Sequence, residues 1–371
     1  MRVLHVYRTY FPETQGGLQE AIRQIARGLK RAGCDSMVFT LAKQPRPSFV
    51  RIDDADVFRA KSVIDVSSCD MGSPGGILLF RQLAKKADIL NFHYPWPFGD
   101  VLELLGNPGK PYVITYHSDI VRQRVAEALY APLRSRFVAK AKAIVTTSPA
   151  YARTSEYLSR LGRAVDVIPL CIDPADIPET SAETSANWQQ RFQKPFFFFV
   201  GVLRYYKGLE YLIEAAKLTG FDVVIAGDGP ERERLHYLAS GIPNVHFLGK
   251  ITDEDKFALI RQCRAVVFSS HLRAEAFGVS LLEGAALGKA LISTEIGTGT
   301  SYVNAHGETG LVVPGADPEA LARAMRCLIE TPALAEQYGT AAHERCVRLF
   351  HTSAAGEKYL DLYRRVLLSE A

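Results

Sequence analysis

Glu275 and Glu283 bracket the stretch Glu275-Ala276-Phe277-Gly278-Val279-Ser280-Leu281-Leu282-Glu283. Residues eight apart on a helix lie on nearly the same face, a little over two turns apart. Two carboxylates so placed can each accept hydrogen bonds from a set of hydroxyls, one at the mouth of a site and one deeper. A nucleotide sugar, with a ribose at one end and a hexose at the other, carries two such sets. Gly278 suits the turn that opens the helix, and a helix start has unsatisfied N–H groups that attract anions and hydroxyl oxygens. Spacing alone decides little, because a chain of 371 residues should show about one such Glu pair by chance. A second pair, Glu336 and Glu344, falls in an Ala-rich helix with no strand before it and reads as a solvated face. The first pair differs in what precedes it: Val266-Val267-Phe268 reads as a buried strand, followed by a polar loop from Ser269 to Ala276.

The elements upstream must position the rest of such a site. Phe196 to Val200 is an uninterrupted apolar strand running into Gly201-Val202-Leu203-Arg204-Tyr205-Tyr206-Lys207-Gly208, with a helix predicted from Leu209 to Leu218. A glycine-flanked loop carrying Arg204 and Lys207 ahead of a helix start forms a diphosphate clamp; taken singly, each cation reads equally well as a surface residue. Val223-Val224-Ile225-Ala226 then leads into Gly227-Asp228-Gly229-Pro230, another strand ending in a tight turn. Open parallel sheets bind ligands beyond the carboxyl edges of their strands, and this half-chain offers three such edges.

Together Gly201 to Gly208, Gly227 to Pro230 and Glu275 to Glu283 resemble the donor half of a retaining family 4 glycosyltransferase of the GT-B fold, in order and in spacing, and the resemblance covers nearly the whole chain. It implies an α/β protein of two Rossmann-like, doubly wound parallel-sheet domains facing a central cleft. It also implies transfer of a sugar from a nucleotide diphosphate donor with retention at the anomeric carbon. By position, Glu275 would bind donor-sugar hydroxyls and Glu283 the ribose. Arg204 and Lys207 would neutralise the diphosphate, while Phe277, Gly278, Val279 and Ser280 would offer backbone N–H groups. Gly201, Gly227 and Gly229 complete the expected donor site. One departure is visible, since the family loop is commonly Gly-Arg-Leu and here the cation is shifted to Arg204.

The amino-terminal half reads as the acceptor domain. Val3 to Tyr7 is a short strand, and a helix from about Leu18 to Ala32 follows Gly16-Gly17, which resembles the family's glycine loop closing on the diphosphate. A plain strand-to-helix turn is the alternative. Tyr112 to Asp119 is a strand ending in His117. A lone histidine there is commonly structural, yet the family places one beside the donor sugar, which implies a catalytic position for His117 with Glu275. The following Ser118 to Gln123 is similar to bacterial mannosyl- and rhamnosyltransferases of O-antigen or exopolysaccharide assembly, pointing to GDP-mannose or GDP-rhamnose.

Length and composition fit two domains, and alternating strands and helices fit parallel sheets. The expected boundaries are 1–172, a linker over 173–194 rich in Pro, Ser, Thr and Glu, a donor domain over 195–349, and a final helix over 350–371 crossing back. Charge is uneven: residues 1–170 hold 24 Lys or Arg against 15 Asp or Glu, and residues 171–371 hold 20 against 25, giving +9 and −5. Ile120 to Ala143 reads as a basic amphipathic helix bent at Pro132, able to lie on an anionic membrane or to pack in a core. No recognised nucleic-acid motif is present. Met1-Arg2 enters a strand directly and no apolar run is long enough to span a bilayer. The expected location is therefore the cytoplasm, peripheral to the inner membrane, with a polyprenyl-diphosphate-linked saccharide as acceptor. Six scattered cysteines without a C-x-x-C pair fit a reduced compartment and no structural zinc.

No cofactor or metal is expected. Asp54-Ala55-Asp56 sits in a polar hairpin and Asp253-Glu254-Asp255 opens a helix, where acids favour the dipole. With no carboxylate placed as a covalent nucleophile, front-face attack is favoured, the leaving phosphate taking the acceptor proton. A nucleotide-sugar epimerase, a non-catalytic carbohydrate- or membrane-binding protein, and a transferase using a UDP-sugar and a soluble acceptor remain as alternatives.

Overall fold

The computed structural model describes residues 1–371 apart from 15, 53, 67–68, 120–123 and 370–371, with side chains also left out at 65–69 and 124–129. It divides into two compact units, Met1–Cys171 with Thr352–Ala371, and Ile172–His351.

The first unit is built on a sheet of nine strands: β1 Arg2–Val6, β2 Asp35–Ala42, β3 Phe49–Ile52, β4 Ala55–Val66, β5 Cys69–Gly72, β6 Ile89–Tyr94, β7 Tyr112–Tyr116, β8 Ala143–Thr146 and β9 Asp166–Val167. Their order is β3-β4-β2-β1-β6-β7-β8-β9, with β5 beside β4. All pairings are parallel except those of β3 and β5 with β4. The central strands are apolar on both faces because helices cover both. One face carries a polar layer nonetheless. His5, Asn91, His93 and Thr115 share it by register, and all are buried. The final helix, Thr352–Leu368, lies against this face: Asn91 donates to the Tyr363 hydroxyl at 2.8 Å, and Thr115 donates to Asn91 at 2.9 Å. Most buried polar groups in folded proteins are paired, and here Tyr363 pairs with Asn91 and Tyr359 with Thr115.

The second unit holds β10 Phe196–Val200, β11 Asp222–Ala226, β12 Val245–Gly249, β13 Ala265–Phe268, β14 Ala290–Glu295 and β15 Gly310–Pro314. They are all parallel, in the order β12-β11-β10-β13-β14-β15. Strand order reverses between β10 and β13, the crevice where such sheets take ligands. Residues 173–194, expected as a linker, belong to this unit instead. They contain the helix Ala182–Arg191, capped by Ser181 and anchored where Trp188 donates to Asp255 at 2.8 Å. Its Ser/Thr/Ala/Glu composition is that of an exposed helix with one aromatic anchor, which is why it resembled a tether.

Candidate functional site

In the second unit, the β10 and β13 loops meet at the strand-order reversal. Lys207, in the single turn Tyr205–Lys207 after β10, donates to the Glu275 carboxylate, and both side chains are largely buried. The ammonium also lies 4.5 Å from the centre of the Phe268 ring, and Ser270 donates to Glu275 at 3.4 Å. Glu275 precedes the helix Val279–Ala286 and is carried by a turn in which its N–H donates to Leu272 O at 3.1 Å. The helical-face reading of the Glu pair is thereby corrected: the loop, not a shared helix face, delivers the first carboxylate. Glu283 does lie on that helix, 8% exposed, where Lys256 donates to it at 2.7 Å and to Asp253 at 3.0 Å. Burial works against the Lys256 charge, but Glu283 and Asp253 outweigh it and hold the pKa above its ordinary value. Each carboxylate thus has its own lysine.

The glycines divide into two kinds. Gly278, at φ 96°, is the N-cap of the Val279–Ala286 helix and leaves its start without a side-chain cap, so the N–H groups of Val279 and Ser280 are available to an anion. Gly227 and Gly229 allow one loop to lie on another: a Cβ at Gly227 would fall 1.9 Å from Gly201 O, and one at Gly229 2.4 Å from Leu203 O. Their observed work is to seat the β11 loop under the β10 loop, where Leu203 N donates to Asp228 O at 3.0 Å. Phe277 is buried, its ring edge-on to Phe350 with centres 6.0 Å apart. Arg204 is half-buried and its guanidinium makes no hydrogen bond or ion pair among the described residues.

In the first unit, order reverses between β1 and β6. Gly16 is the uncapped N-cap of the helix Gly17–Arg31 after β1, and Gly17 is exposed. His117 follows β7, 5% exposed, with its N–H donating to Tyr94 O at 3.0 Å. Its Nε2 is 2.9 Å from His93 Nδ1, and His93 Nε2 is 3.1 Å from His5 Nδ1. Burial lowers the pKa of His5 and of His117 to about 3; His93 falls well below its ordinary value through burial, then through its two imidazole neighbours. Sequence reading missed Lys256, His93 and His5, since each acts across more than twenty residues of chain. Ser118 and Asp119 are described, whereas Ile120 to Gln123, part of the stretch that suggested a mannosyl donor, lie outside the described residues.

The acids set aside as metal ligands are engaged elsewhere. Asp54 pairs with Arg27 at 3.4 Å and Arg23 at 3.8 Å, Asp56 pairs with Arg51, and Asp255 closes a capping box with Thr252. Among the described residues, no group of His, Cys, Asp or Glu is arranged to hold a metal ion, and no helix is long and apolar enough to cross a membrane.

Residues 181–345 match the glycosyl transferases group 1 family, and residues 15–176 match Glycosyltransferase Family 4. D-rhamnosyltransferase WbpZ of Pseudomonas aeruginosa is 47% identical over 352 residues, covering 94% of this chain and 92% of the relative. O-antigen chain mannosyltransferase C of Escherichia coli is 40% identical over 373 residues, spanning 100% of both. Among solved structures, sucrose-phosphate synthase from Thermosynechococcus elongatus superposes with a TM-score of 0.81 at 20% identity over 99% of each chain. Anabaena HepE in complex with UDP gives 0.76 at 17%, over 98% of this chain and 100% of that one. These two share the fold.

Proposed function

The chain belongs to glycosyltransferase family 4, and from that premise we propose that it moves mannose from GDP-mannose, or rhamnose from GDP-rhamnose, onto a lipid-linked saccharide during O-antigen assembly. The observation that carries the reading is the Lys207–Glu275 pair at the β10/β13 reversal. A cation for a diphosphate and a carboxylate for sugar hydroxyls stand side by side there, a helix start behind them. Similarity to a D-rhamnosyltransferase and an O-antigen mannosyltransferase favours a GDP-sugar over a UDP-sugar.

The chemistry follows from charge. As the nucleoside diphosphate departs, negative charge develops on its oxygens and oxocarbenium character on the sugar. Arg204, Lys207 and the N–H groups after Gly278 are pre-oriented donors for that charge. Glu275 orients the sugar, and the acceptor attacks from the face the phosphate leaves, passing its proton to that phosphate with the anomeric configuration retained. No metal is required.

A screen of GDP-, UDP-, ADP- and dTDP-sugars by thermal shift and donor hydrolysis tests the donor, with NMR of the product for configuration and added EDTA for metal. Stabilisation by GDP-sugars and an α-linked product insensitive to EDTA are expected; preference for UDP-glucose would overturn the donor, and free sugar-nucleotide isomers without acceptor would mark an epimerase. For the acceptor, the basic residues 1–170 would bring the protein to an anionic bilayer. Among the described cations of the helix Arg124–Lys140, Arg134 stacks 4.3 Å from the Tyr157 ring centre, whereas Arg136, paired with Glu103 at 3.4 Å, and Lys140 are both exposed. Sedimentation with anionic vesicles should fall as salt rises. No sedimentation at low salt would favour a soluble acceptor.

A further inference from the structure

Three imidazoles, His5 on β1, His93 on β6 and His117 just after β7, form one hydrogen-bonded chain that ends at His117. We propose that His93 and His5 are positioning residues that hold His117 as the Nδ1–H tautomer, making it a fixed hydrogen-bond donor toward the sugar. The proposal rests on the reading that His117 faces the donor sugar.

The proton count leaves two arrangements. His93 contributes Nδ1 to the contact with His117 Nε2 and Nε2 to the contact with His5 Nδ1. A neutral imidazole carries one N–H, so if His93 donates at one end it must accept at the other. Both hydrogen bonds therefore run in the same direction. In one arrangement the protons point outward: His5 Nδ1–H donates to His93, His93 Nδ1–H donates to His117 Nε2, and His117 keeps its own proton on Nδ1. In the other they point inward, and the last N–H falls on His5 Nε2. That nitrogen is buried with no hydrogen-bond partner among the described residues. Orphaned buried N–H groups are rarer in folded proteins than unsatisfied acceptors, so the outward arrangement, which leaves a bare acceptor at His5 Nε2, is favoured.

Burial keeps all three rings neutral at ordinary pH, which the count requires. No relay path continues inward, since among the described residues His5 Nε2 has no partner that could take a proton. Its effect is static. With ring centres 5.3 Å apart from His5 to His93 and 5.2 Å from His93 to His117, the two inner rings fix both the rotamer and the tautomer of the third.

Histidine-selective ¹⁵N labelling and long-range ¹H–¹⁵N NMR of the full chain read the tautomers directly, with assignments from single His→Gln or His→Asn variants. Nδ1–H signatures for His5, His93 and His117 are expected, although free imidazole side chains favour Nε2–H. In transfer assays, His5→Leu removes the inner donor and should lower kcat about tenfold, the effect of one lost hydrogen bond, with little change in KM, while His5→Asn, which keeps an N–H near Nδ1, should restore most of it. Nε2–H at His117 in the parent protein, or full kcat in a folded His5→Leu protein, would overturn the proposal. Near-normal transfer by His117→Ala would instead overturn the placement of His117 at the sugar, and with it any role of the chain in turnover. The parent spectrum decides the tautomer even if a variant fails to fold.

Discussion

The two units share a layout and differ in how they use it. Each has a parallel central sheet, with antiparallel strands only at the β4 edge of the first, and strand order reverses beside the first strand, between β1 and β6 in one and between β10 and β13 in the other. At the first reversal sit three neutral imidazoles in a line. At the second sit opposite charges already paired, Lys207 with Glu275 and Lys256 with Glu283. A neutral line has no charge for salt to screen. A paired site must exchange internal contacts for ligand contacts, so removing one partner leaves the other charge uncompensated. The second unit should therefore be the more sensitive to substitution.

The largest effect is expected at Glu275. Glu275→Ala removes the proposed sugar contact and strands the Lys207 ammonium, and transfer should fall by about 100-fold or more, the scale of a misplaced reacting group. Steady-state kinetics with a matched melting curve check it; near-normal kcat/KM would remove the pair from the centre of the site. Arg204→Ala and Lys207→Ala come next. Both cations would meet charge that donor and product share, so the affinity for GDP should weaken by roughly 1.5–3 kcal/mol each, the value of a hydrogen bond to a charged group. Calorimetry with GDP measures this, and unchanged affinity in both variants would place the clamp elsewhere. Lys256→Met should act through Glu283, raising the donor KM more than it lowers kcat, by roughly tenfold if Glu283 turns away.

How much of this could be read from the chain depends on how local the cause is. Phe196 to Val200 announced a buried central strand because its apolar run is continuous, and the structure sets it at the heart of the second sheet. The Glu275 to Glu283 stretch was legible as strand, loop, glycine and helix for the same reason. Gly227 and Gly229 stood out as glycines, but the reason they must be glycine is the backbone of Gly201 and Leu203, brought over them by the sheet. The imidazole line was out of reach, since His5 and His93 are 88 residues apart and neither carries a local signature. Lys256 was hidden likewise, in a helix whose acidic first turn drew notice only as a discounted metal motif.

The pH response sharpens the contrast from the other side. His5 and His117 have folded-state pKa values of about 3 against 6.5 in the ordinary state. The unfolded chain thus binds more protons than the folded one between those values. The stability they contribute is complete above about pH 6.5 and is lost as pH falls toward 3. Asp100 works the opposite way: burial raises its pKa to about 7, so its contribution declines as pH rises from about 4 to 7. Comparing parent and His5→Leu melting temperatures from pH 7 to 4 isolates the first term. The parent should lose more on acidification than the variant, and parallel curves would mean that His5 is charged in the folded protein or exposed to water.

The smallest expected effect tests whether context or spacing made the Glu275 assignment. Glu336 and Glu344 repeat the eight-residue spacing, and unlike Glu275 they truly share one helix, Pro332–Leu349. If two carboxylates on a helix were enough, this pair would have the better claim. Yet both are exposed, no strand end or glycine turn leads into them, and the Glu344 carboxylate makes no hydrogen bond or ion pair among the described residues. An exposed, unpartnered side chain contributes within about 0.5 kcal/mol. Glu344→Ala should therefore leave kcat/KM for transfer unchanged and move the melting temperature by no more than a degree or two, in the same assays in which Glu275→Ala fails. A tenfold loss from Glu344→Ala would show that the helix Pro332–Leu349 meets substrate. The strand-edge argument that singles out Glu275 would then lose its force, because the spacing alone would have marked a functional pair where the sheet provides no edge.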